Sequence, residues 1–190
     1  MSLYNMSVSK RLLDIFFSLL VLPIALPVML LSIVLIGLTT AGPVFFVQQR
    51  VGLNGKSFNL IKIRTLKRSF QSLPGAQHDE LDITMVGRFL RKFRFDEIPQ
   101  IWNILIGEMS WVGPRPEVPY YFDHFKALHP EYEMRQLTRP GITGLAQLQN
   151  PNASPNENLE KLKYDLEYVR NSSFGMDINI LLRSFLFVWK

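Results

Sequence analysis

Residues 88–100 read RFLRKFRFDEIPQ. Arg88, Arg91, Lys92 and Arg94 run directly into Asp96 and Glu97, and no other acid occurs between Asp14 and Asp79. Adjacent carboxylates beside cations suit attack on phosphorus or the binding of a divalent metal. Beyond them Ile98, Ile101, Trp102, Leu105, Ile106 and Met109 keep a helical period. Pro99 is acceptable only in a first turn. The pair is therefore predicted at a helix N-terminus, where the helix dipole and the arginines favour an ionised acid. The competing reading is that Asp96 is a plain N-cap.

Two further segments carry one arginine each in a stiff frame. WVGPRPEVP (111–119) sets Arg115 between Pro114 and Pro116, and TRPGITGLAQ (138–147) sets Arg139 before Pro140 and Gly141. Prolines fix the backbone, glycines allow close approach, and a held guanidinium suits a phosphate clamp. For either motif alone, a turn with a solvated arginine explains the residues equally well. No His/Cys metal spacing, Walker loop or dinucleotide glycine pattern occurs, and His78, His124 and His129 are scattered.

The elements that must position these groups divide the chain in two. Residues 12–38 are strongly apolar with Asp14 the only charge, long enough to enter a bilayer and too long for a signal-peptide core. Pro23 and Pro27 sit at its middle, and both flanks are basic: Lys10 and Arg11 before, Arg50, Lys56, Lys62, Arg64, Lys67 and Arg68 after. Positive flanks prefer the cytoplasmic side. A segment that enters and leaves by one face satisfies both flanks; a spanning helix satisfies only the stronger. The expected division is a membrane-inserted re-entrant helix over 1–41, broken at Pro23 and Pro27, and a cytoplasmic catalytic domain over 42–190.

Within that second part, residues 42–66 read as a β-hairpin about GLNGK, and 69–82 as a polar loop. Val86, Phe89, Leu90 and Phe93 mark a short basic amphipathic helix, fit for a membrane interface or an ordinary surface. Leu159, Leu162, Leu166 and Val169 mark another helical face, and an apolar run closes at Trp189 and Lys190. The fold class is α+β, mainly helical, with amphipathic helices around a compact catalytic domain. The 190 residues contain no cysteine, which excludes disulfides and thiolate metal sites, and the net charge of +5 suits an anionic partner.

Four segments occur here in the order found in the bacterial sugar transferases: KRLLDIFFSLLVLPIALP, GPVFFVQQRVGLNGKSFNLIKIRTL, FRFDEIPQIWNILIGEMSWVGPRP and RPGITGLAQLQ. The chain resembles this family, the monotopic phosphoglycosyl transferases, over about residues 9–185. The resemblance implies transfer of a sugar-1-phosphate from a UDP-sugar to a polyprenyl phosphate with release of UMP. It also implies Mg²⁺, the cytoplasmic face of the bacterial inner membrane, and the re-entrant form of the apolar segment. It makes Asp96 the nucleophile and ties Glu97 to the metal, with Asp96 close enough to share it. Two residues depart from the family pattern. The Ser-Pro pair at the helix break is Leu26-Pro27, and the small residue two before the Asp is Arg94.

On this reading Lys62, Arg64, Arg91, Arg115 and Arg139 gather the substrate phosphates and spread transition-state charge, and the basic surface rests on anionic lipid. A membrane-anchored adaptor without catalysis is the alternative; it has no need of the acidic pair or the proline-held arginines. A nucleic-acid module leaves the apolar segment unexplained. The sugar and the oligomeric state are not written in these patterns.

Overall fold

The computed structural model describes residues 2–67, 83–150 and 158–188. The predicted polar loop over 69–82, the side chain of Leu159, and Trp189 and Lys190 lie outside the described residues. The chain is mainly helical: α1 (Val8–Thr39), α2 (Met85–Lys92), α3 (Gln100–Ile106), α4 (Pro119–Leu128), α5 (Leu145–Gln149), α6 (Asn158–Asn171) and α7 (Phe174–Val188). Among the described residues two small sheets complete it: the antiparallel pair β1 (Phe45–Val51) and β2 (Ser57–Ile63), and the parallel pair β3 (Ser110–Val112) and β4 (Gly141–Thr143).

Helix α1 opens on Ser7, whose hydroxyl accepts from the Lys10 N–H, and runs 32 residues with Pro23 and Pro27 both inside it. The break expected at the prolines is thus not an interruption of the helix. Proline's fixed φ suits helical geometry, so its cost falls on the hydrogen-bond ladder and the preceding turn. At 1.5 Å per residue the helix is about 48 Å long, well beyond the roughly 30 Å of a bilayer's hydrocarbon.

Both ends of α1 pack on the rest of the chain. Near the start, Lys10, Asp14 and Ser18 are buried one turn apart; near the end, Ile36 joins Ile63 and Leu90 in one apolar cluster. Arg64 donates Nη2 to Thr40 O, capping the helix at 3.0 Å. Between the ends the outer face is bare: Leu20, Ile24, Leu30, Leu31 and Val34 are exposed. An apolar face this size left uncovered marks a membrane or partner contact.

The hairpin matches the sequence reading. Its register pairs Phe46 with Lys62, Gln48 with Leu60 and Arg50 with Phe58, so these six residues share one face. That face turns inward: Phe58 and Leu60 cluster with Ile104 and Met109 and seat the hairpin on α3, each burial contributing about 1.5–3 kcal/mol. Asn54 and Gly55, both at positive φ, reverse the chain at the tip. Asn103, buried in α3, locks the arrangement by donating to Asn59 O and accepting from the Ile61 N–H.

Helix α2 begins on the Thr84 cap and buries Leu90, while Met85 and Phe89 stay exposed beside α1. In α6, Leu162, Leu166 and Val169 are buried as their spacing implies. Helix α7 buries Asp177 and Ile180 and leaves Leu182, Phe185 and Leu186 open. Pairing of β3 with β4 gave no local signal in the sequence, since each strand has only three residues.

Candidate active site

Asp96 and Glu97 lie in a 3-10 turn, Phe95–Glu97, between α2 and α3. Arg94 enters this turn in the left-handed conformation (φ 55°), a position disfavoured for a side chain with a Cβ. The helix proper starts later than the periodicity implied, with Pro99 as its cap residue and no side-chain cap hydrogen bond. Asp96 is therefore not an N-cap. Both acids are buried, 8% and 5% exposed.

Their environments differ sharply. Glu97 Oε1 accepts from Lys62 Nζ at 2.9 Å and from Arg115 Nη2 at 2.8 Å, and Arg94 Nη1 stands 3.7 Å from Oε2. Burial works against its charge, but Arg115 and Lys62 outweigh it and hold Glu97 well below the usual carboxylate range. Glu97 Oε2 is buried and accepts no hydrogen bond. Asp96 takes no hydrogen bond among the described residues. Burial and the charge of Glu97 push it up, against Lys62, Arg91 and Arg115. One acid is thus ionised and tethered; the other is untethered, its carboxyl pushed above the ordinary Asp value.

The five expected phosphate-binding cations do not all meet here. Lys62 and Arg115 touch Glu97 directly. Arg91 donates Nε to Thr65 Oγ1 at 2.8 Å, near enough to Asp96 to favour its charge. Arg64 is buried at the end of α1, on Thr40 O. Arg139 donates Nε to Gly107 O, at the C-terminus of α3; among the described residues it makes no ion pair with either acid. Both of these arginines thus meet carbonyls at helix ends, where a cation complements the dipole.

The two proline loops are nevertheless built as one unit. Gly113 N–H donates to Thr143 O and Gly141 N–H to Pro114 O. A Cβ on Gly113 would fall 2.3 Å from Arg139 O, and one on Gly141 2.2 Å from Gly113 N, so only glycine permits this approach. The frame has two anchors the sequence reading passed over. Arg135, paired with Asp165 at 2.8 Å, donates Nη2 to Arg115 O. On the other side Asp14 Oδ1 accepts from Ser110 Oγ and the Trp111 N–H, while Lys10 Nζ donates to Val112 O and ion-pairs with Asp177 at 2.6 Å. A polar stripe at i, i+4 and i+8 (Lys10, Asp14, Ser18) along an apolar segment was the available signal.

The donor set can be tested against a divalent cation. Among the described residues no third His, Cys, Asp or Glu joins the pair. What remains is Glu97 Oε2, buried and without a donor, next to the untethered carboxylate of Asp96. Two carboxylates with the other ligands supplied by phosphates and water fit Mg²⁺.

Comparison with known proteins gives a consistent picture. The model of the bacterial sugar transferase family matches residues 5–190. A UDP-N-acetylgalactosamine-undecaprenyl-phosphate N-acetylgalactosaminephosphotransferase of Aeromonas hydrophila is 36% identical over 178 residues, 92% of this chain and 42% of the relative. UDP-glucose:undecaprenyl-phosphate glucose-1-phosphate transferases are similar too. That of Caulobacter vibrioides is 37% identical over 92% of this chain and 67% of its own length. That of Klebsiella pneumoniae is 38% identical over 96% and 40%. The chain thus spans less than half the length of two of these relatives and two thirds of the other.

Proposed function

The chain belongs to the bacterial sugar transferase family, and on that premise we propose that it transfers a sugar-1-phosphate from a UDP-sugar to a polyprenyl phosphate. The observation that carries the reading is the division of labour between the two acids. Glu97 is pinned by Lys62 and Arg115 and shields them from each other; Asp96 takes no hydrogen bond among the described residues and lies among cations.

The reaction runs in two displacements. An Asp96 carboxylate oxygen attacks the sugar-bearing phosphorus, an acyl-phosphate bond forms, and the bond to the UMP oxygen breaks with its electron pair leaving on UMP. A polyprenyl phosphate oxygen then attacks the same phosphorus and returns the carboxylate to Asp96. Lys62, Arg91 and Arg115 offset the charge on the phosphoryl oxygens. Mg²⁺, held by Glu97 Oε2 and Asp96, would neutralise diphosphate charge. Arg139 and Arg64 contribute, on their observed contacts, by holding the C-terminal ends of α3 and α1.

The apolar α1 supports membrane association. We place the domain on the cytoplasmic face of the inner membrane with α1 re-entrant, because both helix ends pack on one body and both flanks are basic. Cysteines replacing Ser2 and Lys56 should then react alike in sidedness labelling; Ser2→Cys labelled from the periplasm leaves a spanning helix instead.

The chemistry is tested without acceptor. Enzyme, Mg²⁺ and a panel of UDP-sugars should give a burst of UMP and a sugar-phosphate adduct on the peptide holding Asp96. UMP that appears only with both substrates present replaces the covalent route by direct transfer. No UMP under any condition leaves an adaptor.

A further inference from the structure

One cation beside the site has no task in the chemistry above. Arg50 lies on the inward face of the hairpin with Lys62, four ladder positions and about 13 Å further from the end of α1. Its guanidinium donates Nη1 to Pro116 O at 3.0 Å and Nη2 to Gln48 Oε1 at 2.6 Å. Both acceptors are neutral. Nε is buried without an acceptor, and among the described residues Arg50 makes no ion pair. Burial and the neighbouring charge of Arg115 pull it down to about 10. Two guanidiniums brought together, one of them acted on by the Glu117 and Glu97 carboxylates but without a direct ion pair among the described residues, are stabilised by an arriving anion.

Space for the rest of such a ligand adjoins them. The space is an open cleft lined by Val51, Gly52, Arg115, Glu117, Arg135, Gln136 and Thr138 among others; its enclosed part is water-sized, so a larger ligand lies across its open mouth. Thr138 Oγ1 is buried there without a partner. The cleft is built from the end of β1, the 114–117 loop, α4 and the 135–140 segment. Apart from the turn Leu3–Met6 that precedes it, the elements packed most on α1 are α2, α3, β3 and the turn of Asp96.

We propose that Arg50 and Arg115 bind the phosphate of the departing nucleotide and that its nucleoside lies over the adjoining open cleft. The inference rests on the donor being a UDP-sugar. Charge selects the occupant: the leaving phosphate gains charge as its bond to the sugar phosphate breaks, whereas the sugar carries none, so a pair of guanidiniums serves the nucleotide. Position agrees, because the cleft lies away from the α1 side, where the lipid acceptor must approach and where Arg91 stands on α2.

The test uses the full chain in lipid nanodiscs with UMP and uridine as probes. Arg50→Gln should raise the UMP inhibition constant and the KM for UDP-sugar about tenfold or more, leaving the KM for polyprenyl phosphate and inhibition by uridine near wild type. Arg50→Lys should recover part of the loss, and Thr138→Val should weaken uridine. An unchanged UMP constant, or a rise confined to the lipid KM, overturns the proposal. Should Arg50→Gln not fold, hydrogen exchange of the wild type with UMP decides: protection at 50–52 and 114–117 supports the subsite, and protection confined to α2 overturns it. UMP protection at those segments in a protein that turns over no UDP-sugar would remove the transfer reaction and still support the subsite.

Discussion

Two buried ionic clusters flank strand β3, each built of cations around carboxylates and put to opposite uses. Around Lys10 nearly everything is matched. Lys10 and Asp177 meet at 2.6 Å with 1% and 0% of their side chains exposed. Tyr168 and Tyr4 donate to Asp177, and Ser110 and Trp111 donate to Asp14. Around Glu97 cations exceed acids. Lys62, Arg94 and Arg115 crowd one carboxylate, with 43% of the Arg94 side chain and 40% of Arg115 open to solvent, and among the described residues Asp96 goes without a hydrogen bond. A network matched except for Asp14 Oδ2 fixes geometry and leaves little for an anion. An unsaturated cationic one is completed when an anion arrives.

The largest expected effect separates chemistry from folding. Asp96→Asn keeps the shape of the turn and removes the nucleophile, so turnover should fall by about three orders of magnitude or more. The melting temperature should stay within a degree or two, because no hydrogen bond is lost. Substantial residual turnover would take the nucleophile's role from Asp96.

Lys10→Met inverts the pattern. It leaves Asp14 and Asp177 buried without their cation, a loss of about 3–5 kcal/mol, read in denaturant unfolding of the detergent-solubilised protein. Activity should fall only as the folded fraction falls. Pairing it with Asp177→Leu should restore much of the stability, since an apolar pair of similar volume can replace a buried ion pair. If Lys10→Met left stability intact and removed turnover, the matched cluster would be part of the site and the comparison would fail.

These clusters were unequally legible in the sequence. The hairpin, the acidic pair and the paired proline loops carry local signals: period-two alternation, an Asn-Gly turn, adjacent acids after a basic run. Lys62 and Arg115 follow from those, and so does Arg50 once the register fixes which residues share Lys62's face. Nothing local links Lys10 to Asp177, 167 positions away, though a lone acid in an apolar helix was a clue that it needed a partner. The start of α3 was read too early because the apolar period continues through the 3-10 turn. Arg139 was placed by its frame alone. A stiff loop fixes the backbone, and the side chain then took the carbonyl of Gly107.

Arg115 sharpens the contrast at a smaller scale. Arg115→Gln leaves Glu97 with Lys62, so the fold should hold, the partly exposed guanidinium contributing little to stability. Turnover should drop about 10–100-fold, the loss of one charged contact to the phosphates. A change in melting temperature as large as that of Lys10→Met would make Arg115 a structural strut.

The smallest effect is a separation in pH. Burial and Glu97 raise Asp96 above the ordinary Asp value, whereas Arg115 and Lys62, overcoming burial, depress Glu97 far below the ordinary Glu value. The two shifts have opposite signs for linkage. On acidification Asp96 takes its proton first, in the interval above the ordinary Asp value; the nucleophile is lost there, and for this group protonation favours the folded state. The stability contributed by Glu97 is fully present above the ordinary Glu value and is lost only as pH falls below it toward the depressed one. Activity should therefore decline before the melting temperature does. In Arg115→Gln the acid limb of kcat/KM should move to higher pH, because Arg115 is one of the charges restraining Asp96. Profiles of kcat/KM and melting temperature from pH 7.5 to 4 check both statements. Coincident loss of activity and structure, or an acid limb unmoved in Arg115→Gln, would show that Asp96 does not titrate in the field of this cluster.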